Sequence, residues 1–157
     1  MQKNKLTLIK CIAIPIILGA LIGYITRSGM EAFQDLNHPP LTPPDILFPI
    51  VWTILYGLMG ISAYLIKTNI ASDQMGNRAM SSYCSQLVVN LLWPIFFFNL
   101  QWFLFAFFWL LLLIILVIVM IRRFCLLSKT AAYLNIPYLI WLGFASYLNI
   151  GVWWLNR

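Results

Sequence analysis

Three short stretches of this sequence pair large aromatic rings with amides at helical spacing. Trp52, Tyr56 and Met59 stand at i, i+4 and i+7, so one helical face carries all three. Gln86, Asn90, Pro94 and Phe97 share a second face, and Tyr138, Trp141, Ala145 and Asn149 a third. Aromatic walls with a few amides suit a flat, mostly apolar ligand. Ala145 is the one small residue on its face and leaves the space such a ligand would occupy. The same rings also read as packing or lipid-facing groups. Gln86 and Asn90 also read as interhelical hydrogen-bonding groups, worth about 1 kcal/mol each. Spacing alone leaves both readings open. Trp102, Trp109, Trp153 and Trp154 fit anchors at a membrane–water interface.

Other chemistries lack their residues. The central parts of the apolar segments hold no Asp, Glu, Lys, Arg or His. Pumps and ion-coupled carriers place ionisable groups at membrane depth, so that class is excluded. The only histidine, His38, has no neighbouring Ser or Cys to suggest a triad and reads as a loop residue. Cys11, Cys84 and Cys125 stand far apart, outside any CxxC pair, and read as small apolar packing groups. No metal site, and no hydrolytic or metal-dependent catalytic site, is expected.

The elements that position these faces follow from composition. The chain has 157 residues, 62% hydrophobic and 9% charged, with a mean hydropathy of +0.89. A soluble domain carries about 25% charged residues, so this chain cannot cover a water-facing surface. The expected fold is an all-α integral membrane protein, a bundle of five transmembrane helices forming a single domain over 1–157. The spans are expected at 6–25, 46–66, 79–98, 102–121 and 130–155. The first could pass for a signal peptide but is long for one, and no small-x-small cleavage site follows. Pro15, Gly19 and Gly23 predict a kinked first helix with a close-packing face. Gly57 and Gly60 are too closely spaced for a small-xxx-small motif. Residues 99–101 leave only a tight turn, so spans three and four form an antiparallel hairpin. The fifth span is long enough to tilt.

Basic residues set the expected orientation. Lys3, Lys5, Lys10, Lys67, Arg78, Arg122, Arg123 and Lys129 fall on one side, and only Arg27 and Arg157 on the other. That asymmetry predicts a cytoplasmic N-terminus and an external C-terminus, and it absorbs most of the net charge of +6. Nucleic acid is not an expected partner, because no soluble basic face exists. The first loop, 26–45, is the longest non-spanning segment and holds Glu31, Asp35 and Asp45. Four prolines restrict it and Phe33, Leu36 and Leu41 give it apolar anchors, which predicts an ordered lid over the outer mouth of the bundle.

Motifs in this order resemble a known family. His38-Pro-Pro-Leu-Thr-Pro-Pro44, then Phe48-x-x-x-Trp52-x-x-x-Tyr56-Gly57, resembles the first loop and second span of the tryptophan-rich sensory protein/translocator protein family. Gln86-Leu-x-x-Asn90-x-x-Trp93 with Phe96-Phe97 is similar to its third span. Pro137-Tyr138-x-x-Trp141-x-x-Phe144-Ala145-x-Tyr147-Leu148-Asn149 is similar to its fifth. The resemblance covers nearly the whole chain. It departs at Leu41, where the family usually has Trp, at the single loop aromatic Phe33, and at Pro94.

The resemblance implies a five-helix bundle, often a homodimer, with a pocket beneath the first loop. The implied ligands are porphyrins such as protoporphyrin IX and haem, or a related flat apolar molecule, with no resident cofactor required. It implies that Trp52, Tyr56, Phe97, Trp141 and Ala145 line the pocket and that Phe33 and Pro43 close it from the loop. Phe48, Asn90 and Tyr138, within the same motifs, complete the candidate lining. The cholesterol motif of animal members is not met, because the first basic residue after Tyr147 is Arg157.

Three functions compete. One is a membrane receptor or translocator for porphyrins. Another is light-dependent oxidative degradation of protoporphyrin IX, with Trp52 and Trp141 as candidate oxidisable partners and the porphyrin supplying the photochemistry. The third is a structural or regulatory membrane subunit without a small-molecule ligand, against which the clustered aromatics count. Multi-pass topology, basic inner loops and the lack of a targeting presequence predict a bacterial cytoplasmic membrane.

Overall fold

Long apolar runs can satisfy their backbone groups in lipid only as helices, and helices dominate the structure. The computed structural model describes residues 2–69 and 74–157. Its helices are α1 (Gln2–Ile25), α2 (Arg27–Phe33), α3 (Leu47–Asn69), α4 (Gln74–Pro94), α5 (Phe103–Leu127), α6 (Lys129–Tyr133) and α7 (Ile136–Leu155). Five segments are long and apolar enough to cross a membrane. The loop after the second span, which enters the orientation argument, lies partly outside the described residues, at 70–73. Around the bundle the order is α1, α3, α6–α7, α5, α4, with α4 returning to α1.

α5 is the spine. Ala106, Leu110, Leu113, Val117, Met120 and Phe124 are buried at alternating spacings of four and three, one stripe facing α4 and α7. Its other faces are equally apolar and exposed, as at Phe108, Leu111 and Ile115, which fits hydrocarbon rather than water. Trp109 is a packing residue rather than an interface anchor: its Nε1–H donates to Val89 O at 2.8 Å, joining α5 to α4. α5 also runs on to Leu127, past the basic pair Arg122 and Arg123. The Arg123 guanidinium donates to Arg78 O at 3.0 Å, tying the end of α5 to the start of α4.

Prolines explain where spans depart from simple helices. Pro94 has no N–H to donate, and the chain continues as a π-helical turn over Ile95–Asn99. Leu100 N–H then donates to Ile95 O at 3.0 Å, and Gln101 closes the hairpin at φ 53°. The fifth span is two helices, not one. Pro137 lies in the first turn of α7, where no donor is needed, and the chain breaks at Leu134–Asn135. The first loop is likewise not wholly irregular, since it opens with α2, which carries an exposed Arg27–Glu31 ion pair of 3.3 Å.

The rest of that loop is bonded along the end of α7. Asn156 accepts from Asn37 N–H at 2.9 Å and donates from Nδ2 to Asn37 O at 2.9 Å. Tyr147 Oη–H donates to Pro40 O at 2.8 Å, and Gln34 Nε2 donates to Asp45 Oδ2 at 2.8 Å. Pro39 sits over Gly151, where an added Cβ would lie 2.7 Å from the proline ring.

The tightest helix contact joins α1 to α3. A Cβ on Gly60 would meet Cys11 O and Ile12 Cα, each at 2.5 Å. Gly19 of α1 lies against the Tyr56 ring, whereas Gly57 and Gly23 have nothing within 4 Å. The close-packing pair is therefore Gly60 and Gly19, and Gly23 takes no part in it. Gly60→Ala is expected to lower unfolding stability in detergent by about 1–3 kcal/mol. Gly57→Ala should be neutral or raise it by about 0.5–1 kcal/mol. Thermal denaturation of the two variants side by side checks both.

Candidate functional site

The three faces converge. A cavity of about 390 Å³ lies between α1, α3, α4 and α7. Trp52 and Tyr56, one turn apart on α3, form one wall, with ring centroids 5.5 Å apart. Trp141 and Ala145 of α7 also border the cavity, and Phe48 of α3 meets Trp141 edge-on at 6.0 Å. Asn90, Trp93 and Pro94 of α4 form the back. A smaller space of about 70 Å³ continues beneath the loop, between Phe33, Gln34, Thr42 and Asp45 above and Phe97 and Ala145 below.

A chain of hydrogen bonds holds this geometry. Tyr56 Oη–H donates to Asn90 Oδ1 at 2.7 Å, and Asn90 Nδ2 donates to Tyr138 Oη at 2.7 Å. Tyr138 Oη–H passes on to Gln86 Oε1 at 2.9 Å, and Gln86 Nε2 reaches Met59 Sδ at 3.6 Å. Each group is buried, so each must be paired within the protein. Trp93 is fixed similarly: its Nε1–H donates to Asn149 Oδ1 at 3.1 Å, and Asn149 Nδ2 donates to Phe103 O at 2.7 Å. One group differs. Trp141 Nε1 is buried and has no hydrogen-bond partner, although its side chain borders the cavity.

Of the residues singled out in the sequence, Phe48, Trp52, Tyr56, Asn90, Trp141 and Ala145 border the main cavity. Phe33 and Phe97 border the smaller space, 5.4 Å apart. Tyr138 borders neither: it lies fully buried behind Asn90 and supports the wall rather than forming it. Pro43 also borders neither, and its neighbour Thr42 takes that place. Leu41 is 80% exposed at φ 68° and touches neither space, so the loss of the usual Trp there leaves the walls intact. The α1 wall, Ile16, Gly19, Gly23 and Thr26, was missed, as were Trp93 and Phe98. Trp93 carried a signal, standing three residues past Asn90 on the same face.

No charged side chain among the described residues borders the main cavity. Among the described residues, no group of three His, Cys, Asp or Glu side chains is placed to hold a metal ion. The cavity can therefore stack a flat apolar ring, and the hydroxyls on its border, Thr26, Thr53 and Tyr56, each donate to an acceptor within the protein.

A five-span helical membrane protein with an aromatic, uncharged internal cavity is thus defined, and comparison with known proteins identifies its family. The model of the TspO/MBR family matches residues 11–155. The chain is 35% identical over 158 residues to the tryptophan-rich protein TspO of Chlorobaculum tepidum, covering 99% of both chains. It is 34% identical to the protein of that name from Archaeoglobus fulgidus, over 98% of this chain and 99% of the relative. With the sheep translocator protein it shares 32% identity, over 88% of this chain and 84% of the relative. The chain belongs to the TspO/MBR family and is a multi-pass membrane protein.

Tyr138→Phe tests the supporting network without altering the lining. It removes the donor to Gln86 and the acceptor for Asn90, and is expected to cost about 1–2 kcal/mol of stability. Denaturation in detergent checks this. An unchanged stability would show that the network does not hold the helices.

Proposed function

We propose that this protein binds a flat tetrapyrrole of the protoporphyrin IX or haem type in the cavity between α1, α3, α4 and α7. The observation that carries the reading is that two indoles, Trp52 and Trp141, border one cavity together with the small Ala145 and no charged side chain. The cavity volume falls within the range of about 300–1,000 Å³ typical of small-molecule pockets. The ring would stack between the indoles, and its carboxylates would stay at the mouth. The bonded first loop would serve as the cover of the site. The same reading takes the chain as a porphyrin receptor or translocator, a homodimer in a bacterial cytoplasmic membrane with its N-terminus inside.

One observation favours a second activity. Trp52 and Trp141 both border the cavity, so a bound porphyrin under light would have two oxidisable rings beside it. Dioxygen would be the oxidant and the porphyrin both sensitiser and substrate. Illumination of the complex in air should then bleach the Soret band and yield a new absorbing product, faster than for free porphyrin in the same detergent.

Tryptophan fluorescence titration with protoporphyrin IX in the dark tests the binding reading. Saturable quenching is expected in the wild type. Trp141→Ala and Ala145→Phe should each weaken it about tenfold, the first by removing a stacking partner and the second by filling the space. Linear quenching indifferent to both changes would mean partition into detergent and would end the proposal.

A further inference from the structure

The cavity's walls are unequally complete. On the loop side, the segment from Asn37 to Pro40 is held to α7 by three hydrogen bonds, and Gln34 clasps Asp45 across the loop. Phe33 packs beneath, edge-on to Phe98 at 5.4 Å and against His38 at 4.6 Å. A route from water through this end would have to break several of these contacts.

The flank between α1 and α3 is different. Deep in the bundle the two backbones touch at Gly60, and further along Gly19 still lies against Tyr56. Gly23 has nothing within 4 Å of an added Cβ. Thr53 and Pro49 stand seven and eleven residues before Gly60, on the same flank of α3 that packs on α1 below. Here both are exposed while still bordering the cavity, and so are Ala20 and Gly23 on α1. The cavity thus reaches the exterior of the bundle between these residues of α1 and α3.

This gap lies within two spans apolar enough to cross a membrane, so it faces hydrocarbon. Its rim is apolar in practice, because the Thr53 hydroxyl donates to Pro49 O at 2.7 Å. α1 is also the span least buried within the bundle. We infer that the ligand reaches the cavity sideways, out of the bilayer, through the gap between α1 and α3, and not from water past the loop. The inference rests on the binding reading above and narrows its ligand class to flat molecules that dissolve in the membrane.

The test uses the full chain reconstituted in phosphatidylcholine vesicles, with protoporphyrin IX delivered from donor vesicles and tryptophan quenching followed by stopped flow. Thr53→Leu and Gly23→Leu should narrow the gap and slow association about tenfold, with dissociation slowed as well, as expected of an obstructed route. Asn156→Ala, which removes two of the loop's bonds, should leave association within about twofold of the wild type. The inference is overturned if Asn156→Ala accelerates association while Thr53→Leu leaves it unchanged. It is equally overturned if the Leu variants only raise the dissociation rate, since that marks a damaged wall and not a blocked route. Absence of saturable quenching in the wild type would instead remove the binding reading itself, a distinct result.

Discussion

The buried hydrogen-bond chain from Tyr56 through Asn90 and Tyr138 to Gln86 is the interaction on which the rest of the structure depends. Apolar side chains give membrane helices little preference for one another over lipid, so polar groups and close packing must decide how they meet. Here an unpaired amide or phenol would be stranded in the bundle at a cost of about 1–3 kcal/mol. Satisfying all four fixes the rotation of α3, α4 and α7 together. Those rotations turn Trp52, Trp93 and Trp141 toward one space. The polar floor thus dictates the aromatic walls above it.

A second constraint acts through small residues. Gly60 lets α1 and α3 meet closely near their middles, and Gly19 seats the Tyr56 ring against α1. A straight, uniformly packed pair would leave no room beside Trp52. The first loop, bonded to Tyr147 and Asn156, borders the smaller space beside the cavity.

Much of this was legible in the sequence. Helical periodicity put Trp52 with Tyr56, Gln86 with Asn90, and Tyr138 with Trp141 on common faces, and the buried chain runs through those faces. Other features were not legible. α1 is apolar on every side, so its pattern does not mark a cavity face. The pairing of Trp93 with Asn149 spans 56 residues and depends on the packing of α4 against α5 and of α5 against α7. Tyr138 was misplaced because periodicity gives a face but not a depth: the ring shares the face of Trp141 yet lies behind Asn90. The break before α7 could have been read from Pro137, whose ring disrupts a helix that continues through it. α2 is too short to announce itself within a loop.

The measurement that bears most directly on the central claim is a structure of the chain with protoporphyrin IX bound, determined in a lipid environment. The account predicts the macrocycle between Trp52 and Trp141, over Ala145, with the Tyr56–Asn90–Tyr138 bonds intact beneath it. A porphyrin lying on the outer, lipid-facing surface of the bundle, with the space between the two indoles empty of it, would contradict the account.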